Sequence, residues 1–159
     1  MEGERMKPEN RLRTKDMGKE PNAVVWQRLT REAELLMRKS PRCHDWDHTL
    51  RVLHNARSLA TVEDADAAVV AAAALLHDIG RPAEMTDCGK TCHAELGAAM
   101  APEMMRQAGV EDETFIEHVA ACIRTHRYRS RDRCQPDTRE AEVVFDADKL
   151  DAIGAVGIG

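Results

Sequence analysis

His48, the adjacent pair His77-Asp78, and Asp148 bring two imidazoles and two carboxylates from points about a hundred residues apart. These donor types suit borderline and hard divalent metals. Four protein ligands on an octahedral ion leave positions for water and substrate, the layout of a metal-dependent hydrolase. A divalent ion there would lower the pKa of its water and polarise a phosphoryl oxygen, and a neighbouring aspartate could take the proton. A lone buried histidine is ordinarily a satisfied core residue. Here an ionisable pair ends the apolar run Ala67 to Leu76, where an unpaired charge would be expensive. A cation would offset that cost, and the negative end of a helix dipole favours one.

For the four residues to meet, three helices must carry them. Val24, Val25, Leu29, Ala33, Leu36 and Met37 recur at helical spacing and predict a first helix over about 22–38, ended by Ser40-Pro41. Asp45 or Asp47 caps a second, about 46–60, which His48 opens. Asp64 or Asp66 caps a third, apolar on every side and therefore central, which stops at Ile79-Gly80-Arg81-Pro82. Residues 81–90 read as a loop. A fourth helix starts near Thr91, is kinked or divided by Pro102, and ends at Gly109. A fifth covers about 111–126, opening on the acidic turn Glu111, Asp112 and Glu113. Residues 127–138 form a basic loop, and a last helix from Asp137 or Thr138 carries Asp148.

Composition agrees with an all-α class. Ala, Leu, Val and Met dominate a 43 % hydrophobic content, aromatics are 3 %, and β-branched residues do not alternate. Length suggests one domain, residues 21–159, behind a charged flexible tail at 1–20. The net charge is −5, with 28 acidic and 23 basic residues, which argues against a nucleic-acid partner. No apolar stretch is long enough for a membrane span, and Met1 to Glu20 has no export core. Five cysteines, an odd number, suit free thiols in a reducing cytoplasm. The apolar, glycine-rich end from Ala152 to Gly159 looks cut off, so the C-terminal part is expected to be incomplete or covered by a partner, a homo-oligomer included.

Three strings carry a resemblance. They are His44-Asp45-Trp46-Asp47-His48-Thr49-Leu50-Arg51-Val52, Leu75-Leu76-His77-Asp78-Ile79-Gly80-Arg81, and Asp146-Ala147-Asp148-Lys149-Leu150-Asp151-Ala152-Ile153-Gly154-Ala155. Together they resemble the HD-domain superfamily of metal-dependent phosphohydrolases, nearest its branch of small bacterial and archaeal hydrolases, over about 22–159. The resemblance implies a helical bundle of about five to six helices. It implies His48, His77, Asp78 and Asp148 as metal ligands, and hydrolysis of phosphate esters or anhydrides, often in nucleotides. It implies a divalent cofactor among manganese, magnesium, iron, nickel, cobalt and zinc. Members of this branch continue well past the final motif, and this chain stops there.

Further residues gather around that set. Some relatives with two metals carry extra histidines between the His-Asp pair and the last aspartate, and His93 and His126 lie in that interval. Each could hold a substrate phosphate or a second metal; His93 opens a helix, whose amides favour anions. His118, two turns before His126, could share its face. His44 reads as a supporting residue and His54 as structural. Arg51, one turn after His48, could contact a phosphate as a catalytic residue or hold Asp78 or Asp151 in position. Lys149 could neutralise a leaving phosphate, although a solvent-facing lysine reads the same. Arg124, Arg127, Arg129, Arg131 and Arg133 suit an anion-attracting lid, with Arg127 nearest the site, or simply a solvated loop. Cys88 and Cys92 have zinc-like spacing but lack a second pair downstream.

Three activities fit. The first is hydrolysis of a small phosphorylated substrate, a nucleotide, with Asp78 guiding water. The second is oxidation by two irons, with His93, His118 and His126 as added ligands. The third is a metal-stabilised nucleotide-binding module without catalysis.

Overall fold

The computed structural model describes residues 21–38, 45–127 and 135–153. The expected tail, His44, Arg129, Arg131, Arg133, Cys134 and the glycine-rich end from Gly154 lie outside the described residues. Those described form seven helices and no strand. They are α1 (Ala23–Met37), α2 (Trp46–Val62), α3 (Ala67–Leu76), α4 (Arg81–Thr86), α5 (His93–Ala108), α6 (Glu113–Thr125) and α7 (Arg139–Ile153).

Local chemistry sets most of these boundaries. Asn22, Asp45, Asp66 and Asp112 each accept backbone N–H bonds in the first turn of α1, α2, α3 and α6. Of the paired cap candidates, Asp45 and Asp66 are the ones used. Thr138 Oγ1 accepts from Ala141 N at the start of α7. Gly109 closes α5 in the left-handed region, φ 107. Every residue of α3 from Val69 to Leu76 is buried, and α3 packs against α2, α6 and α7. The central helix thus delivers its C-terminal end, His77-Asp78, to the middle of the bundle.

Two expectations are corrected. Residues 81–90 are not all loop, because α4 occupies the first six of them. Pro82 lies in its first turn, where a missing N–H costs no helical bond and a fixed φ favours the start. Pro102 does not divide α5, which runs through it. Ala94, Ala98, Ala101 and Met105 bury one continuous face across the proline, and that packing holds the helix together despite the lost bond.

Gly80 joins α3 to α4 and is required by space. Its φ of −81° is open to any residue. A Cβ there, however, would stand 2.3 Å from the His93 carbonyl oxygen and 2.9 Å from Gly97 N. The glycine lets the His77-Asp78 turn rest on the backbone of α5. Gly80→Ala is expected to cost about 3 kcal/mol or more, since the obstacle is backbone and cannot rotate away. A urea midpoint unchanged from wild type would contradict this contact.

Candidate metal centre

Four histidines and two aspartates converge where α2, α3, α5, α6 and α7 meet. His48 comes from the first turn of α2, His77 and Asp78 from the end of α3, and His93 from the first residue of α5. His126 caps the C-terminus of α6, and Asp148 lies on α7. All six are buried.

The donors fall into two sets that share Asp78. In the first, His48 Nε2 is 3.3 Å from His77 Nε2, 3.4 Å from Asp148 Oδ1 and 3.8 Å from Asp78 Oδ2. His77 Nε2 is 3.5 Å from Asp78 Oδ2 and 4.0 Å from Asp148 Oδ1. In the second, His93 Nε2 and His126 Nε2 are 3.2 Å apart and lie 3.4 and 3.6 Å from Asp78 Oδ1. Neighbouring ligands on an octahedral ion with bonds of about 2.1 Å stand roughly 3 Å apart. Both sets therefore have the dimensions of an ion site, and Asp78 offers one oxygen to each.

The tautomers favour the same conclusion. His77 Nδ1 donates to the Ala74 carbonyl at 2.8 Å, and His126 Nδ1 donates to the Ile123 carbonyl at 2.6 Å. His48 Nδ1 donates to Asp151 Oδ2 at 2.7 Å, and His93 Nδ1 donates to Glu84 Oε2 at 2.8 Å. With the proton held on Nδ1, a ring in its neutral form turns a lone pair outward at Nε2. Facing lone pairs 3.2 and 3.3 Å apart repel unless a cation or a proton lies between them. The donor set thus fits a divalent cofactor. Of the two roles expected of His93 and His126, phosphate or second metal, these tautomers suit the second.

Two carboxylates outside the centre are clamped by arginine. Arg51 grips Asp151 through Nε at 2.7 Å and a terminal nitrogen at 3.1 Å. Of the roles open to Arg51, the structure displays the one on Asp151, which in turn holds His48. Glu84 is gripped by Arg81 at 3.3 Å and by Arg127 at 3.0 Å. Arg81 Nε also donates to Asp78 Oδ1 at 3.0 Å. Arg127, expected at the substrate, is engaged by Glu84 and by the Cys92 sulfur at 3.3 Å. Lys149 Nζ lies 2.5 Å from Asp148 Oδ2 and 3.4 Å from the His126 carbonyl, with about a third of its side chain exposed. His118 lies elsewhere, against Thr138 and Glu140. His118, which the oxidative reading counted as an added ligand, is not among the described histidines that converge here.

Arg81 and Glu84 are functional residues that sequence reasoning misses, since residues 81–90 read as a loop. The Pro82 start signal and their i,i+3 spacing could have placed both on one face of a short helix.

Burial pushes His77 below its usual pKa, and pushes His93 down to about 3. Burial also opposes charge on His48, but hydrogen bonds to Asp148 and Asp151 outweigh it and the net shift is upward. Asp148 is likewise disfavoured by burial, yet His48, His77 and Lys149 hold its carboxyl below the carboxylate range. The signs follow from proton uptake on unfolding. His77 and His93 stay neutral when folded and take up protons when unfolded, so their contribution is lost as pH falls below about 6.5. His48 works oppositely: its contribution is full below about 6.5 and is lost as pH rises through its folded value. Below pH 6.5 the His48 contribution no longer changes, so His77 and His93 set the direction and the metal-free protein is expected to weaken from pH 6.5 to 4.5. The slope is about 1.4 kcal/mol per pH unit for each uncompensated proton. Urea midpoints in chelator at several pH values test this, and a flat profile would contradict neutral buried imidazoles.

The model of the HD domain family matches residues 45–153. The chain belongs to the HD domain family. The matched span runs from the cap of α2 to the last residue of α7 and contains all six converging side chains. Over 115 residues the chain is 34 % identical to the uncharacterized protein YpgQ of Bacillus subtilis strain 168, covering 72 % of this chain and 54 % of that protein. The HD domain chain thus spans about half the length of that relative. A predicted HD superfamily hydrolase from an uncultured Thermotogales bacterium superposes with TM-score 0.67 at 37 % identity, over 85 % of this chain and 70 % of that one. The crystal structure of Bacillus subtilis YpgQ in complex with ADP superposes with TM-score 0.59 at 27 % identity, over 85 % and 61 %. No helix among the described residues is long and apolar enough to cross a membrane.

Proposed function

We propose that this HD domain would hold one divalent ion at His48, His77, Asp78 and Asp148 and a second at Asp78, His93 and His126, and hydrolyses a phosphate ester or anhydride of a small molecule, a nucleotide. The observation that carries the proposal is the pairing of lone-pair histidines on either side of one carboxylate: His48 and His77 at Oδ2, His93 and His126 at Oδ1. Asp148 completes the first set. ADP in the similar YpgQ structure supports a nucleotide as the substrate class.

Bound divalent ions would supply Lewis acidity at a phosphoryl oxygen and acidify a water. The residues of the chain do the rest. Asp78, held by Arg81, keeps the two donor sets in place around the attacking water. Asp148 stays ionised as a ligand, since its carboxyl is held below the usual range. Lys149, partly exposed beside Asp148, offsets phosphate charge as the phosphorus–oxygen bond breaks. Arg51 and Asp151 keep His48 in register.

The test is a phosphate- and pyrophosphate-release assay on chelator-treated protein reloaded in turn with manganese, magnesium, cobalt, nickel, iron and zinc, across nucleoside mono-, di- and triphosphates. Turnover abolished by chelation and restored by a metal is the expected result. Tight nucleotide binding with no release under any metal would reject hydrolysis in favour of a binding module. The His93–His126 pair also suits two irons, so a second reading is oxidative. Two irons per chain with an optical band on exposure to oxygen would favour it.

A further inference from the structure

The two ion sites are supported by matching devices. In each, one histidine caps the end of its own helix and donates Nδ1 to the carbonyl three residues back: His77 to Ala74, and His126 to Ile123. In each, the other histidine starts or nearly starts a helix and donates Nδ1 to a carboxylate clamped by arginine. For His48 that carboxylate is Asp151 under Arg51; for His93 it is Glu84 under Arg81 and Arg127. The carbonyl-held rings are fixed by helix geometry. The carboxylate-held rings depend on side chains that substitution can remove one at a time.

We infer that Glu84 is the positioning residue that sets retention of the second ion, at His93, His126 and Asp78, while leaving the first ion to Asp151. This rests on the two-ion reading above. Glu84 is nearly buried, and its Oε2 meets His93 Nδ1 at 2.8 Å while Oε1 meets Arg127 at 3.0 Å. It thereby fixes both the tautomer and the orientation of the ring. A carboxylate partner also raises the basicity of the opposite nitrogen, and loss of such a partner typically weakens metal affinity 10–100-fold. The six-residue helix α4 places Arg81 and Glu84 one turn apart. Arg81 can therefore touch Asp78 and Glu84 at once, which ties the bridging carboxylate to the support of His93. Cys92, at the N-cap of α5, touches Arg127 from the other side and completes the packing around the clamp.

The experiment is a manganese titration of the chelator-treated full chain by calorimetry and electron paramagnetic resonance. Wild type is compared with Glu84→Gln, Glu84→Ala and Asp151→Asn. Glu84→Gln is isosteric and guards against loss of folding, which circular dichroism checks. Wild type is expected to take two ions and show a spin-coupled signal. Both Glu84 variants are expected to bind the first ion within about twofold of wild type and the second roughly 10- to 100-fold more weakly, so that an uncoupled signal replaces the coupled one. Asp151→Asn should weaken the other ion. Unchanged second-ion affinity in both Glu84 variants, or equal weakening of both ions, would overturn the inference. A wild type that takes one ion overturns the two-ion reading itself and the inference with it, and that result is visible before any variant is compared.

Discussion

Asp78→Asn is expected to lose turnover by roughly a thousandfold or more and to fall from two bound ions to one or none. The amide keeps the size of the side chain but replaces one oxygen by an NH2 group, which cannot ligate. It also removes the negative charge that two pairs of imidazoles face from opposite sides. Whichever way the amide turns, one set keeps a neutral oxygen and the other loses its shared ligand. Transition-state stabilisation from an ion is worth several kcal/mol, and each 1.36 kcal/mol is tenfold in rate. Elemental analysis and the phosphate-release assay on the same sample check both halves. Full metal content with full turnover would remove Asp78 from the centre.

Metal loading is expected to raise the melting temperature of the chelated protein by on the order of 10 °C for one site and more for two. The Nε2 atoms stand 3.2 and 3.3 Å apart in the two histidine pairs, and a cation between each pair turns that crowding into ligation. At a free metal concentration a thousand times Kd, linkage supplies about 4 kcal/mol per site. For a domain of this size each kcal/mol shifts the melting temperature by roughly 2–4 °C. Differential scanning calorimetry with and without manganese measures the shift. Asp78→Asn should lose most of it, which separates ligation in the centre from adventitious binding of metal to exposed carboxylates. An equal shift in the variant would place the stabilising ion elsewhere.

The helical elements were legible because their signals are local. A capping aspartate before α2 and α3, an acidic turn opening α6, an apolar run with no polar face in α3, and a glycine after α5 each act within a few residues. The misreadings came where the deciding partner is remote. Pro102 interrupts a local bond, but the buried face of α5 overrides it. Residues 81–86 look like a loop until Asp78 and His93 give Arg81 and Glu84 something to hold.

The centre divides along the same line. Residue types made His77 and Asp78 metal candidates, because an ionisable pair ending an apolar helix is costly without a cation, and the resemblance of the three motifs implied His48 and Asp148 beside them. His93 and His126 were visible as companions, but their role was open between phosphate and metal. The proton positions favour metal over phosphate, and those depend on which acceptor each Nδ1 finds: a carbonyl three residues back in two cases, and a carboxylate 9 or 103 residues away in the other two. Arg127 looked like an anion trap by charge, and packing made it a clamp on Glu84. Sequence by itself therefore determined the donor chemistry and the helices that bear it, since both follow from side-chain type and short-range backbone bonding. Only the tertiary structure decided the division into two donor sets around one shared carboxylate, because the distances and Nδ1 partners that define it arise when six helices pack.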